Sequence, residues 1–302
     1  MRAIKHGKIS WIDIIDPTRE DIEFLKKHYN FHPVILDELL HPSARSRVEK
    51  YDSYLFLVYH LPIYDRAIRT SRRAEVDFLI TKNSIITVHY ETLEPLDALL
   101  RSLNNNPNLK ERVLENTARL VYGIVEEIID FSMRQLRHIE ENVSFITQEI
   151  FKGREQKMLE KISYIKRDIL DYRLISRPQE IILGSLVSVG AEFWGVRARV
   201  YLSDLVGDYS KVAQRLENYV EVIEALETTN AQLLSAKTNA VMQRFTILAF
   251  LTFPLVLYST VYQIPLVQNA LGDTAFSFWL GFGLVFALTL VTIWAFRKKE
   301  WL

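Results

Sequence analysis

From Phe245 to Phe296 the chain carries one formally charged residue, Asp273. Buried helices of soluble proteins seldom run this long without charge, and a bilayer needs ~17–25 apolar residues per helical span. Residues 245–262 and 275–296 therefore read as two membrane-spanning helices. Residues 263–274 make a connecting loop between them, and residues 297–302 a basic tail.

The flanks set an orientation. Lys237 and Arg244 precede the first span and Arg297, Lys298 and Lys299 follow the second, whereas the loop contains neither Lys nor Arg. Positive charge stays on the cytoplasmic side, so both termini are expected in the cytoplasm, with the chain multi-pass in the cell inner (plasma) membrane. Tyr258, Tyr262, Trp279, Trp294 and Trp301 fall near the predicted interfaces, where a ring with one polar edge is best placed. Met1 to Trp11 lacks the apolar core of a signal peptide, so targeting is expected from the two spans.

Before Arg244 charges of both signs are mixed, and the whole chain balances at 37 basic and 37 acidic residues. No basic footprint for a phosphate backbone is present, so nucleic acid is not an expected partner. The absence of cysteine excludes disulfides, thiolate metal sites and cysteine nucleophiles. Gly-rich phosphate loops, Gly-x-Ser-x-Gly and His-Glu-x-x-His are missing, and His28, His32, His41, His60, His89 and His138 are scattered. Neither an enzyme nor a resident cofactor is expected.

Residues 1–105 read as an α/β domain. Ser53 to Leu61 and Val76 to His89 are short runs rich in Tyr, Phe, Val and Ile, with a hairpin turn at Lys82 and Asn83. Residues 106–192 read as a helical hairpin, Leu109 to Phe151 against Glu155 to Arg177, with Gly153 at the turn and Pro178 ending the second arm. Glu126, Glu127, Arg134, Arg137, Glu140 and Glu141 alternate on it as a solvated face. Residues 193–244 carry Val212, Leu216, Tyr219, Ile223, Leu226 and Leu233 at helical spacing. They predict a stalk helix that runs unbroken into the first span and whose apolar stripe other helices or subunits must cover.

Several segments, in order, carry a family likeness. Phe31-His-Pro-Val-Ile-Leu-Asp-Glu-Leu-Leu40, Val48-Glu-Lys-Tyr-Asp-Ser-Tyr-Leu-Phe-Leu57 and Phe78-Leu-Ile-Thr-Lys-Asn-Ser-Ile-Ile-Thr87 lie in the first domain. Leu234-Ser-Ala-Lys-Thr-Asn-Ala-Val-Met242, Phe253-Pro-Leu255 and Arg297-Lys-Lys-Glu-Trp-Leu302 lie around the spans. Together they resemble the CorA family of divalent-cation channels over nearly the whole length. The resemblance implies an α/β N-terminal cytoplasmic domain, a long stalk helix and two C-terminal transmembrane helices. It further implies a CorA-like homopentameric funnel, the first span lining the pore and the second forming an outer ring.

One departure stands out. Where CorA proteins carry Tyr-Gly-Met-Asn at the outer end of the first span, the ungapped match places Tyr262-Gln263-Ile264-Pro265. Mg²⁺ dehydrates reluctantly and is recognised through its hydration shell. Gln263 offers an amide for a replacement ring, or else caps the helix end; Pro265 offers none. Altered selectivity is therefore expected.

Asn239, Met242, Ala249, Phe253, Val256 and Thr260 recur at intervals that place them on one helical face. Under the family reading this face lines the pore; otherwise it is a packing face. Asn239 is the candidate ring for a hydrated cation, Met242 and Phe253 for closure by dewetting. Thr246, Thr252 and Thr260 either line the path or bond their own backbone. Tyr262, Gln263 and Asp273 mark the outer mouth, Asp273 either drawing cations inward or serving a plain turn. The resemblance places Asp204 where the family senses intracellular metal, with Asp208 one turn away; both also read as solvated acids. Glu75 and Asp77, taken to lie on a strand edge, are further candidates. The expected function is passage of divalent metal ions (Mg, Co, Zn or Ni), the ion being substrate and regulatory ligand. The alternative is a non-conducting or weakly selective relative with a regulatory or scaffold role.

Overall fold

Alternation of side chains organises the first ninety residues. The computed structural model describes residues 1–272 and 274–298. Within it β1 (Arg2–His6), β2 (Ile9–Ile15), β3 (Arg47–Lys50), β4 (Leu55–Asp65), β5 (Thr70–Ile80) and β6 (Ser84–His89) form one sheet, ordered β1-β2-β6-β5-β4-β3. β2 and β6 pair in parallel and the remaining neighbours antiparallel. The turn at Lys82 and Asn83 closes the β5–β6 hairpin, with Phe78 opposite Thr87.

Because successive residues of a strand face opposite sides, each sheet face has its own cover. Ile12, Ile14, Phe56, Val58, Leu79, Ile86 and Val88 pack against Ile22, Leu25, Ile35 and Leu36 of α1 (Arg19–His28) and α2 (Pro33–Glu38). Thr18 and Asp21 close a capping box at the start of α1, and Pro33 opens α2, where its missing amide costs nothing.

The helices that follow are α3 (Glu94–Asn105), α4 (Pro107–Val113), α5 (Thr117–Gln135), α6 (Arg137–Glu149), α7 (Glu155–Trp194) and α8 (Ala198–Tyr262). The expected single arm from Leu109 to Phe151 is thus three helices. Asn106 and Asn116 accept backbone N–H groups at the starts of α4 and α5, respectively. α5 and α7 lie against the sheet. α6 and α7 reverse direction about Gly153, whose φ is +76°.

Pro178 does not end the second arm; α7 continues to Trp194 and stops at Gly195, φ +97°. The physical reason is packing. Ile175, Gln179 and Leu183 are buried and hold the helix on both sides of the break. The carbonyl that loses its donor belongs to Leu174, whose side chain is 77% exposed.

α7 also covers the stalk stripe from within the same chain. Tyr209 donates to the Ser176 carbonyl (2.8 Å), Arg173 meets Glu217 (3.0 Å) and Lys166 meets Glu227 (2.5 Å), an antiparallel succession. Val212, Leu216 and Ile223 are buried beneath it, while Tyr219 is half-buried.

By contact the chain divides into residues 1–228 and 229–302. The second unit contains the rest of α8, α9 (Pro265–Leu271) and α10 (Ala275–Lys298). α8 and α10 are the two helices among the described residues that are long and apolar enough to cross a membrane.

Candidate functional site

At ~100° per residue, the C-terminal part of α8 has two sides. Tyr258 and Tyr262 turn toward α10: the Tyr258 hydroxyl donates to the Phe278 carbonyl at 3.2 Å, and the Tyr262 hydroxyl donates to the Gly272 carbonyl at 2.8 Å. Their rings pack on Phe278 at 5.8 and 5.1 Å between centroids. Gly281 makes this approach possible, since a Cβ there would stand 2.0 Å from the Tyr258 hydroxyl.

Asn239, Met242, Ala249, Phe253, Val256 and Thr260 lie on the opposite side, and all six are exposed. Met242, Phe253 and Val256 leave 63, 67 and 62% of their surface uncovered. One chain therefore presents a stripe, with an amide at one end and a hydroxyl at the other, that no described residue of its own second unit covers. Thr246, Thr252 and Thr260 donate to the carbonyls of Met242, Leu248 and Val256 at 2.8–2.9 Å. These hydroxyl protons serve the helix, and the oxygens retain acceptor capacity.

Beyond the end of α8, Pro265 takes the first position of α9, so the connection between the spans is partly helical. Gln263 is exposed, and its backbone N–H donates to the Thr260 carbonyl at 3.3 Å. Asp273 lies outside the described residues.

In the N-terminal unit Asp204 and Asp208 have different surroundings. Asp208 is paired with Lys211 at 2.6 Å. Asp204 and Glu126 both stand 2.9 Å from the Tyr122 hydroxyl. One phenolic proton cannot serve two carboxylates at once. Burial, followed by the charges of Asp130, Asp208 and Asp204, raises the Glu126 pKa despite its bond to Tyr122. Sequence reading had left Glu126 among solvated residues. Its i, i+4 relation to Tyr122 was visible; the approach of α8 was not.

Glu75 and Asp77 are not on an edge. β5 lies between β6 and β4, and both acids are buried, at 5 and 1% exposure. Glu75 accepts the Ser43 N–H (2.7 Å) and lies 2.9 Å from His60 Nε2; Asp77 accepts the Tyr90 hydroxyl (2.9 Å). Burial and then Glu75 push the Asp77 pKa well up. Among the described residues no three carboxylates or imidazoles are grouped to hold a metal.

A sheet covered by helices, a helix of 65 residues running into an apolar C-terminal pair, and an exposed stripe along it define a class: two-span membrane proteins with a large N-terminal α/β unit. The family model described as CorA-like Mg²⁺ transporter protein matches residues 6–298, and the chain belongs to that family. It is 20% identical to the cobalt/magnesium transport protein CorA of Thermotoga maritima, over 97% of this chain and 83% of that protein. The complete structure of the CorA magnesium transporter from Methanocaldococcus jannaschii superposes with a TM-score of 0.83 at 20% identity, over 99% of this chain and 93% of that one. The full-length CmaX structure gives 0.72 at 15% identity, over 97 and 89%.

Proposed function

We propose that this chain forms a homopentamer in the inner (plasma) membrane, termini in the cytoplasm, and passes divalent metal cations down their electrochemical gradient. The observation that carries the reading is the uncovered stripe from Asn239 to Thr260, opposite the side of α8 that packs on α10. Five such stripes turned to one axis would cover one another and enclose a path. Asn239 would then offer five amides to a hydrated ion, and Met242 and Phe253 would close the path by excluding water.

Asp204 is the proposed regulatory ligand, with Asp208 beside it. A divalent ion bound between copies would favour one arrangement of subunits over another.

The outer end favours magnesium less than the family pattern does. Tyr262 spends its hydroxyl on the Gly272 carbonyl, and Pro265 begins a helix where the family has an asparagine amide. This supports altered selectivity among Mg, Co, Zn and Ni, and it favours as second reading a non-conducting or weakly selective relative with a regulatory or scaffold role.

Purified protein in liposomes containing a magnesium dye, then dyes for zinc, cobalt and nickel, separates the two. Flux of at least one divalent ion that Asn239→Ala reduces supports the channel. A pentamer by native mass spectrometry with no flux supports the second reading, and a monomer overturns both.

A further inference from the structure

Where β4, β5 and α7 meet, away from the stripe on α8, an open recess of about 740 Å³ is lined by three arginines from three parts of the fold. Arg45 comes from the segment before β3, Arg73 from β5 and Arg167 from α7. Asp171 is the one acid among its described lining residues.

That acid compensates one of the three at most. Asp171 accepts the Thr70 hydroxyl at 2.5 Å and stands 3.6 Å from Arg167. Arg73 donates to the Ala44 carbonyl at 3.1 Å, which leaves its charge uncompensated. Arg45 has no hydrogen bond or ion pair among the described residues. Several guanidinium groups elsewhere in the same unit are matched: Arg2 with Asp13 and Asp97, Arg47 with Glu38 and Glu49, Arg72 with Glu91. Of the three around this hollow, Arg167 has Asp171 beside it, whereas Arg45 and Arg73 have no acidic partner among the described residues.

The rest of the recess is not generic surface. Ser46 lies on the lining, 2.9 Å from His60 Nδ1 and accepting from Gln179 Nε2 at 2.7 Å, so its position is held by buried groups. Beside it Ile68 and Leu174, 53 and 77% exposed, form an apolar shelf. Pro178, also on the lining, has no amide to offer the Leu174 carbonyl.

Guanidinium forks match phosphate oxygens, and an apolar shelf matches a flat base. The volume falls within the ~300–1,000 Å³ of small-molecule sites. We propose that this recess binds a nucleotide, its phosphates on Arg45, Arg73 and Arg167 and its base against Leu174 and Ile68. Inorganic phosphate would use the same arginines and leave the shelf bare. A nucleotide seated here would tie the β4–β5 hairpin to α7, the helix that packs along the stalk part of α8.

The test uses the full chain in detergent and calorimetric titration with ATP, AMP, adenosine and inorganic phosphate. ATP and AMP are expected to bind at least about tenfold more tightly than phosphate or adenosine, because only they engage both halves of the recess. Arg45→Ala combined with Arg73→Ala should weaken ATP by about thirtyfold or more, since each loses a charge-assisted contact. Leu174→Ser should weaken AMP and leave phosphate unchanged. All three side chains are exposed, and Arg45→Ala alone removes no contact of the fold, so it keeps the test valid should the double variant unfold. The proposal is overturned if neither nucleotide binds at millimolar concentration, if phosphate binds as tightly as AMP, or if the arginine variants bind ATP like the parent.

Discussion

The two units put the same side chains in opposite places. In the N-terminal unit Phe56, Phe78, Leu55 and Leu57 have no exposed surface. A buried polar chain runs among them: Trp11 donates to Thr87, Thr87 to Asp13, and His89 lies 3.0 Å from Asp13. In the C-terminal unit Phe253, Phe276, Leu284 and Trp294 stand 64–76% exposed, while tyrosine hydroxyls bond backbone carbonyls between the helices. The difference lies in the solvent each unit is built for. Water drives apolar groups inward; between helices in lipid that drive is absent, and close packing and hydrogen bonds hold the contact.

The sharpest way to break this comparison is to truncate the same residue type in both units. Phe78→Ala should cost about 3–5 kcal/mol, the loss of a buried aromatic plus its cavity, read as a lower urea midpoint of the N-terminal unit.

A second contrast is within the N-terminal unit, between two buried acids. For Asp13, burial is the largest influence and opposes ionisation, but His89, Thr87 and Arg2 outweigh it and hold the pKa below the usual range. Its stabilisation is present above the unfolded value of ~3.9 and is lost as pH falls through the folded value. Asp77 has the opposite sign. Its folded state keeps a proton the unfolded chain releases, so its contribution falls as pH rises above ~3.9. Asp77→Asn, neutral at every pH, should flatten the decline of stability between pH 5 and 8, and denaturant midpoints across that range measure it.

The exposed stripe should answer through transport rather than stability. Phe253→Ala is expected to raise liposome flux about tenfold, equivalent to ~1.4 kcal/mol off a dewetting barrier, with little change in thermal midpoint. The smallest effect belongs to the outer surface of α10: Phe276→Ala should stay within about 0.5 kcal/mol of the parent by the same denaturation assay. A cost matching that of Phe78→Ala would show that this surface is covered by protein.

Much of the architecture was legible. The uncharged runs announced α8 and α10, the Lys82-Asn83 turn announced the β5–β6 hairpin, and intervals of three and four placed Asn239 to Thr260 on one face. Pro178 misled because local chain stiffness was weighed without the packing of Ile175, Gln179 and Leu183 that carries α7 past it. Glu75 and Asp77 misled for a related reason. Strand order is decided by pairing partners distant in sequence, and β5 has one on each side.

What this sequence determined by itself was what could be read along the chain: hydrophobic length, charge placement, helical and strand period, and the order of segments shared with the CorA family. Each depends on residues within a few turns of one another. Tertiary structure alone decided which acids meet at one hydroxyl, as Glu126 and Asp204 do at Tyr122, and which arginines stay without an acidic partner, as at Arg45 and Arg73. The reason is range. A pKa or an ion pair depends on charges and burial within a few ångströms in space, and residues 82 positions apart become neighbours only when α5 and α8 meet.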